Sequence, residues 1–418
     1  MVRELKHTEM GDFPVDWQLQ TFDETFRVLS NNTLSRENLN NRGGAVRNIH
    51  YGDILTKFPE VLDCSEEEIP CVNDLSLLSS STQLLQDGDI VIADTAEDET
   101  VGKVTEVQNL GNRKIVAGLH TIPCRVKKGD FAPGWLGYYM NSNLFHNQIL
   151  PYVTGIKVSS ISKSAISETL ILIPPKEEQE KIVKSLQNIE LLIKKLKKLV
   201  LKKQEIKNTL LHQLMTGERR IDRFENEWKR IKLKNMFSDF IVPMRDKPKN
   251  LTGNVPWCRI EDFDGKYLVK SKSSQGVNKT TIEEMNLKVF PVGTLLVSCS
   301  ANLGRCAIVG KELITNQTFI GLVPNSKADV EFFYYRMCFE EKALNAMATG
   351  TTITYLSRKQ FEEYELLIPT NKNEQQAIAQ LLSDFDGEIE KEKSKLQKYS
   401  LLKVGMISDL LTGKIRLV

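Results

Sequence analysis

The chain has 418 residues, 41% of them apolar and 26% charged, with a formal net charge of +2. That length is too great for one compact core, and the ordinary composition argues against disorder and fibrous repeats. The near-neutral balance excludes a uniformly basic nucleic-acid binder, so any DNA-binding surface must be local.

The N-terminus, MVRELKHTEMGDF, lacks the apolar core of a secretion signal, and no apolar run approaches the 18 or so residues of a membrane span. The seven cysteines form no Cys-x-x-Cys pair, which predicts reduced thiols in a cytoplasmic protein without a metal knuckle.

The first block, residues 1–172, reads as mixed α/β. DIVIAD and RKIVAGL, bounded by Gly and Asp, predict strands. RNIHYGD predicts a loop leading into a strand, and APGWLGYYMNSNLFHNQIL predicts one helix. A tail over 173–217 follows. It opens on Pro174-Pro175 with an acidic first turn, Glu177 and Glu178, which suits the positive end of a helix. Ile182, Leu186, Ile189, Ile193, Leu196 and Val200 then recur at alternating steps of four and three, the narrow seam of a coiled coil. The seam is expected to shift to Ile206, Leu210 and Leu214, as a stutter would shift it, before Gly217 stops the helix.

Residues 218–367 and 368–418 repeat this layout. GTLLVS predicts a strand, PWCRIEDFDGK a loop-to-strand segment, and DVEFFYYRMCFEEKALNAM one helix. Thr216-Gly217 recurs as Thr412-Gly413, an offset of 412 − 216 = 196, and Glu178-Gln179 recurs as Glu374-Gln375. The second seam runs through Ile378, Leu382, Phe385, Ile389, Leu396 and Tyr399, then through Leu402, Met406 and Leu410. Upstream the offset slips by one: Thr154-Gly155 matches Thr349-Gly350, Ser162-Lys163 matches Ser357-Arg358, and Tyr139 falls on Tyr334. Earlier still, FPVDWQLQTFDETF from Phe13 resembles FENEWKRIKLKNMF from Phe224, and DGDIVIADT is only loosely like VGTLLVSCS. Neither long helix can bury its seam inside its own domain. The two are therefore expected to pair antiparallel, giving two mixed α/β (α+β) heads on an antiparallel coiled coil with an internal pseudo-twofold repeat.

No catalytic constellation appears. The sequence holds no phosphate loop, no Gly-x-Gly-x-x-Gly, no Asn-Pro-Pro-aromatic segment and no His-Glu-x-x-His, and its five histidines are scattered. Two heads, each followed by a proline-opened Glu-Gln helix that closes on Leu-x-Thr-Gly (LMTG 214–217, LLTG 410–413), resemble the specificity subunit (HsdS) of a type I restriction–modification system. IHYGDI, VAGLHTI, VPWCRIEDF and TNQTFIGL also resemble segments of such recognition domains.

The resemblance implies two target-recognition domains that read the halves of a bipartite, asymmetric double-stranded DNA site. The paired helices would act as spacer and as docking surface for two methylation (HsdM) subunits, with restriction–translocation (HsdR) subunits joining for cleavage. S-adenosylmethionine, ATP and Mg would bind those partners, and this chain would carry no cofactor and no catalytic residue. Two readings from other classes stay open: a two-headed scaffold that does not bind DNA, and a methyltransferase or nuclease with unrecognised motifs.

Polar residues in predicted loops are the candidate DNA contacts. In the first head they are Arg42, Arg47, Asn48, His50, Lys103, Arg113, Lys114, Lys157, Ser159 and Lys163. In the second they are Arg245, Lys247, Arg259, Asn302, Arg305, Asn316, Gln317, Tyr355 and Arg358. Lys163 and Arg358, equivalent across the repeat, are expected to hold phosphate. The run KKLKKLVLKK (194–203) is expected to be a solvated face partly paired with Glu388, Glu390 and Glu392. Glu178, Gln179, Glu374 and Gln375 are candidates for contact with the methylation subunit, although helix-start chemistry also explains their type.

Overall fold

A computed structural model describes residues 4–8, 10–155, 158–221, 224–243, 247–248, 250–300, 302–347 and 355–417. Lys157, Arg245 and the Thr349-Gly350 pair lie outside the described residues. The chain divides into two compact units, Met1–Leu196 with Lys395–Val418, and Lys197–Ser394. Among the described residues no helix is long and apolar enough to cross a membrane.

In the first unit a five-stranded sheet runs in the order Phe26–Val28, Thr121–Val126, Ile90–Ala93, Val104–Gln108, Val61–Asp63. Its last pair is parallel and the others are antiparallel. The second unit builds the same sheet from Phe237–Ile241, Phe319–Pro324, Leu295–Ser298, Cys306–Val309 and Tyr267–Leu268, again with only the last pair parallel. The loosely matching segments DGDIVIADT and VGTLLVSCS therefore supply the same central strand. All four residues of each are buried, which explains their continuous apolar reading. The turn before each strand needs a left-handed residue, and Gly88 (φ 85°) and Gly293 (φ 83°) provide it.

Each unit also carries a smaller sheet built around one parallel pair. In the first unit Val46–Ile49 lies beside Lys114–Ala117, and in the second Val255–Cys258 lies beside Ile314–Thr315. RNIHYGD and PWCRIEDFDGK were expected to pass from loop to strand; both run the other way. Val46–Ile49 leads into the helix Tyr51–Thr56, and Val255–Cys258 leads into a 3-10 turn at Ile260–Asp262. Here His50 and Asp262 close the helical starts with their own side chains, so the polar residues mark the end of each strand.

The single helix expected in each head is broken in two. The first head has Trp135–Met140 and Asn143–Ile149, and the second has Val330–Phe339 and Glu341–Met347. In the first head Asn141 bonds the Val104 N–H (3.0 Å) and carbonyl (2.7 Å), and the Ser142 hydroxyl donates to the Tyr139 carbonyl at 2.6 Å. Such local side-chain bonds compete with the helical ladder and end it there.

The two long helices span Lys176–Thr216 and Lys372–Leu410, 41 and 39 residues. Gly217 (φ 77°) and Gly413 (φ 68°) turn the chain out of them in the left-handed conformation. Within each unit, one end of each helix runs antiparallel to the far end of the other. In the first unit Glu178 meets Arg416 and Glu190 meets Lys403; in the second Glu374 meets Arg220 and Asp386 meets Lys207. Leu186 and Leu410 share one apolar cluster with the first head, and Leu214 and Leu382 share the other with the second.

The predicted stutter is absent. Ile206 and Leu402 are about half exposed, at 46% and 47%, while the polar residues one position away turn inward. The step of four and three continues through Val200, Lys203, Lys207, Leu210 and Leu214, and through Ile389, Glu392, Leu396, Tyr399, Lys403, Met406 and Leu410. Lysine can occupy a seam because its methylenes pack while its ammonium reaches a carboxylate. Lys207 lies over the Tyr335 ring at 5.6 Å and pairs with Asp386. Lys403 pairs with Glu190 (2.7 Å) and with Glu60 of the head (2.9 Å). A head tyrosine completes each group: Tyr138 donates to Glu190 and Tyr335 to Asp386, both at 2.6 Å. Tyr138 and Tyr335 thus share a role, which replaces the expected match of Tyr139 with Tyr334. In the lysine-rich run, Lys203 pairs with Glu388 at 2.9 Å and Lys194 lies 3.7 Å from Glu66 of the first head.

Candidate nucleic-acid interface

The carboxyl ends of parallel strands are where side chains from separate loops converge without closing the sheet. In the second head this end of the small sheet holds a cleft of about 260 Å³ lined by Lys247, Trp257, Arg259, Asn316 and Gln317. Four of these were anticipated from sequence as DNA contacts. Trp257 was not, and it is buried at 3% exposure. Arg259 directly follows the strand Val255–Cys258, and Asn316 directly follows Ile314–Thr315. The Cys299 thiol donates to the Gln317 carbonyl at 3.7 Å, tying the cleft to the loop after the central strand. That loop carries Asn302, in the left-handed region at φ 53°, and exposed Arg305, and Tyr355 bridges to it at Ser300. The structure thus gathers Lys247, Arg259, Asn302, Arg305, Asn316, Gln317 and Tyr355 at one end of this head.

The corresponding end of the first head carries different chemistry. His50 ends the strand Val46–Ile49, its ring 4.6 Å from Tyr51, which meets His120 edge-on at 5.2 Å. His120 takes a left-handed backbone (φ 53°) and lies 3.2 Å from the Thr95 hydroxyl and 3.4 Å from Asp94. Burial pushes the His50 imidazole below its ordinary pKa, and its Nδ1 accepts the Gly52 N–H at 3.2 Å. Ser159 joins this end through the pairing of Ser159–Ser160 with Thr95–Ala96.

Other residues of the first set are placed elsewhere. Asn48 is fully buried, with its Oδ1 accepting from Asn32 at 2.8 Å; Gly118 backs onto it so closely that a Cβ there would lie 2.5 Å from Nδ2. It supports the strand end and has no surface to offer a base, contrary to the expectation. Lys103 is half-buried and donates to the Leu55 carbonyl at 3.1 Å, and burial lowers its pKa, so it faces the head interior instead of a phosphate. Arg47 and Arg113 share a cleft with Glu66, Glu67 and Glu68, whose charge opposes a phosphate. Arg42 and Lys114 are exposed, Lys114 at the amino end of its strand. Lys163 and Arg358 each begin a short helix capped by a serine, Ser162 and Ser357, so their equivalence extends to three dimensions. Arg358 is held by Glu362 (2.7 Å) and Asp239 (3.7 Å).

The Glu-Gln pairs face inward. Glu178, Gln179, Glu374 and Gln375 are 0–2% exposed. Gln179 accepts from the Ala132 N–H (2.9 Å) and donates to the Pro174 carbonyl (2.8 Å), and Gln375 repeats this with Asp329 (2.9 Å) and Pro369 (3.0 Å). Glu178 receives the Trp17 indole N–H at 3.0 Å and two bonds from Arg416 at 2.5 and 2.7 Å. Glu374 receives Trp228 at 3.1 Å and Arg220 at 2.8 Å. These four side chains are consumed in holding each head to the helices, which leaves them no surface for a methylation subunit. Arg220, Arg416, Trp17 and Trp228 were missed from sequence, yet the signal was present: Trp17 and Trp228 match in the quoted repeat, and each arginine stands four residues after the threonine of Thr-Gly.

Residues 14–222 and 225–398 each match the family described as the type I restriction modification DNA specificity domain. A Methanocaldococcus jannaschii chain described as a type I restriction enzyme specificity subunit, MjaX, is 24% identical over 98% of this chain and 96% of its own length. The MjaIX specificity subunit of the same organism is 31% identical over 36% of each chain. Among solved structures, the type I S subunit of M. genitalium superposes with a TM-score of 0.58 at 14% identity, covering 98% of this chain and 99% of that one. The HsdS subunit of Thermoanaerobacter tengcongensis gives 0.53 at 14% identity, covering 96% and 98%.

Proposed function

We propose, for a chain that belongs to the type I restriction–modification DNA specificity family and is the non-catalytic specificity subunit of such a complex, that each head reads one half of a bipartite, asymmetric DNA site through the carboxyl ends of its strands. The observation that carries this reading is the pair of equivalent strand ends lined by unlike side chains: His50, Tyr51 and His120 in one head, Lys247, Arg259, Asn316 and Gln317 in the other. Equivalent placement with different donors and acceptors is what two readers of different half-sites require. The paired helices set the spacing of the half-sites, with centres on one face of the duplex about one turn, or roughly 10 bp, apart. Their repeated outer faces offer one docking surface twice, which fits two methylation subunits, with restriction subunits joining the same cytoplasmic complex. S-adenosylmethionine, ATP and Mg act on those subunits. The domain limits 1–172, 173–217, 218–367 and 368–418 go with this division of labour.

The test is the methylome of cells that express the chain with its methylation subunit. A bipartite motif is expected, and exchanging residues 1–172 for those of a relative should change one half only. A continuous motif, or a change in both halves, would overturn the reading.

A further inference from the structure

Resting on the reading just given, the geometry points to a guanine as the base taken by the cleft of the second head, through its N7 and O6 in the major groove. The cleft presents mainly hydrogen-bond donors. Lys247 and Arg259 only donate. Asn316 could do either, but its Oδ1 already accepts from the Thr318 hydroxyl at 2.6 Å and from the Thr318 N–H at 3.4 Å. That bond fixes the amide orientation and leaves the Nδ2 hydrogens to donate. Among the described residues no carboxylate lines the cleft, in contrast to the first head's cleft around Arg47 and Arg113 with its three glutamates. Among the described polar lining residues Gln317 alone retains both capacities, and it is exposed.

A donor-rich cleft selects an acceptor-rich edge. Guanine shows two adjacent acceptors in the major groove; adenine and cytosine each show an amino donor, and thymine shows one acceptor beside a methyl. The amino groups of adenine and cytosine would meet donors at Lys247, Arg259 and Asn316, so the cleft disfavours those bases as it favours guanine. Arg259 is tied to Glu261 at 3.0 Å, with the two side chains 37% and 55% exposed. A surface pair of this kind contributes little and can yield to a base. Trp257 gives the cleft a rigid wall.

The experiment uses the full chain with its methylation subunit. Exchanging residues 218–367 first identifies the half-site read by the second head. Arg259→Gln and Asn316→Ala are then scored by methylome, and the unmodified complex is titrated with duplexes carrying 7-deazaguanine at each guanine of that half. The expected result is one guanine position that becomes degenerate in both variants. At that same position 7-deazaguanine should weaken binding by roughly tenfold to a hundredfold. An unchanged motif, relaxation at a base other than guanine, uniform weakening for all sequences, or indifference to 7-deazaguanine would each overturn the inference. The 7-deazaguanine arm needs no variant, so a misfolded variant cannot hide the answer. If exchanging 218–367 alters neither half, the two-reader reading fails instead, and the two failures are distinguishable.

Discussion

The two heads are alike where they meet their helices and unlike at the far ends of their strands. Trp17, Glu178 and Arg416 in one unit are matched by Trp228, Glu374 and Arg220 in the other, with an indole and a guanidinium donating to one buried carboxylate in each. Lys403, Glu190 and Tyr138 are matched by Lys207, Asp386 and Tyr335. At the strand ends, by contrast, the aromatic histidine cluster of the first head has no counterpart among the described residues of the second, where cations and amides line a cleft. The lesson is a division of labour inside one duplicated unit. Holding a head against the helices demands one solution and was copied, whereas the strand ends, proposed to read two different half-sites, diverged.

The comparison can be broken hardest at the arginine clamps. Glu178 and Glu374 are buried carboxylates, and removing the cation from a buried pair strands a charge at a cost of about 3–5 kcal/mol. Arg416→Ala should reach that range, because Arg416 also holds Asp16 at 2.7 Å and lies 5.7 Å over the Trp17 ring. Arg220, whose side chain is 28% exposed against 13% for Arg416, should sit at the low end. Thermal unfolding of the full chain would order them. Adding Glu178→Gln to Arg416→Ala should recover part of the loss, since the stranded charge is gone. Equal stability of Arg416→Ala and the parent would deny the clamp its role.

The shared parts were legible in sequence because a duplicated constraint writes itself twice. Pro174 and Pro369, the Glu-Gln pairs and the closing glycines marked both helices, and their inward role was half visible in helix-start chemistry. The clamp arginines escaped because Arg220 and Arg416 recur outside the apolar seam, and recurrence alone does not name a buried partner. The stutter was misread for a related reason: Lys203, Lys207 and Lys403 look like surface residues until a carboxylate on the neighbouring helix is in place. The strand ends were legible only as a residue class. The candidate DNA contacts chosen as polar loop residues include Arg259, Asn316 and Gln317, which the fold brings into one cleft, and equally Asn48, which the fold turned into an interior support. Which loop residues converge depends on strand order, and short strands reveal that order only after folding.

A gentler break lies at the seam lysines. Lys403→Met keeps the packing but removes one charge-assisted contact set, at a cost of about 2 kcal/mol at neutral pH. The pH dependence follows from the partners. Burial alone would raise the Glu60 carboxyl, but Lys403 outweighs it and the group ends below its ordinary value of 4.5. Burial likewise pulls Lys403 down, yet Glu60 and Glu190 hold it above 10.5. A lowered carboxyl contributes stability that is present above its unfolded value and lost as pH falls through its folded one. The gap between parent and Lys403→Met should therefore narrow as pH falls from about 4.5 and close once pH has passed the lowered folded value of Glu60. Lys207→Met should repeat the neutral-pH loss in the second unit if the comparison holds. Denaturant titration at pH 7 and pH 4 checks both.

The smallest effects are expected at Lys163 and Arg358, the proposed phosphate anchors, where their equivalence is open to sharpening. Both start capped helices, but Arg358 is occupied by Glu362 and Asp239, whereas Lys163 makes no ion pair among the described residues. A phosphate arriving at Arg358 must compete with two carboxylates; one arriving at Lys163 displaces only water. Lys163→Glu should thus weaken binding for every sequence alike and lower the slope of log affinity against log salt by about 1. Arg358→Glu should do less in direct proportion to how firmly its pairs hold, and Arg358→Glu with Glu362→Lys should restore the cation one turn along and recover part of the loss. Salt titrations of the assembled complex on specific and random duplexes read this out. A sequence-selective loss at Lys163 would mean that it touches a base edge, and the likeness between the two helix starts would then end at the backbone.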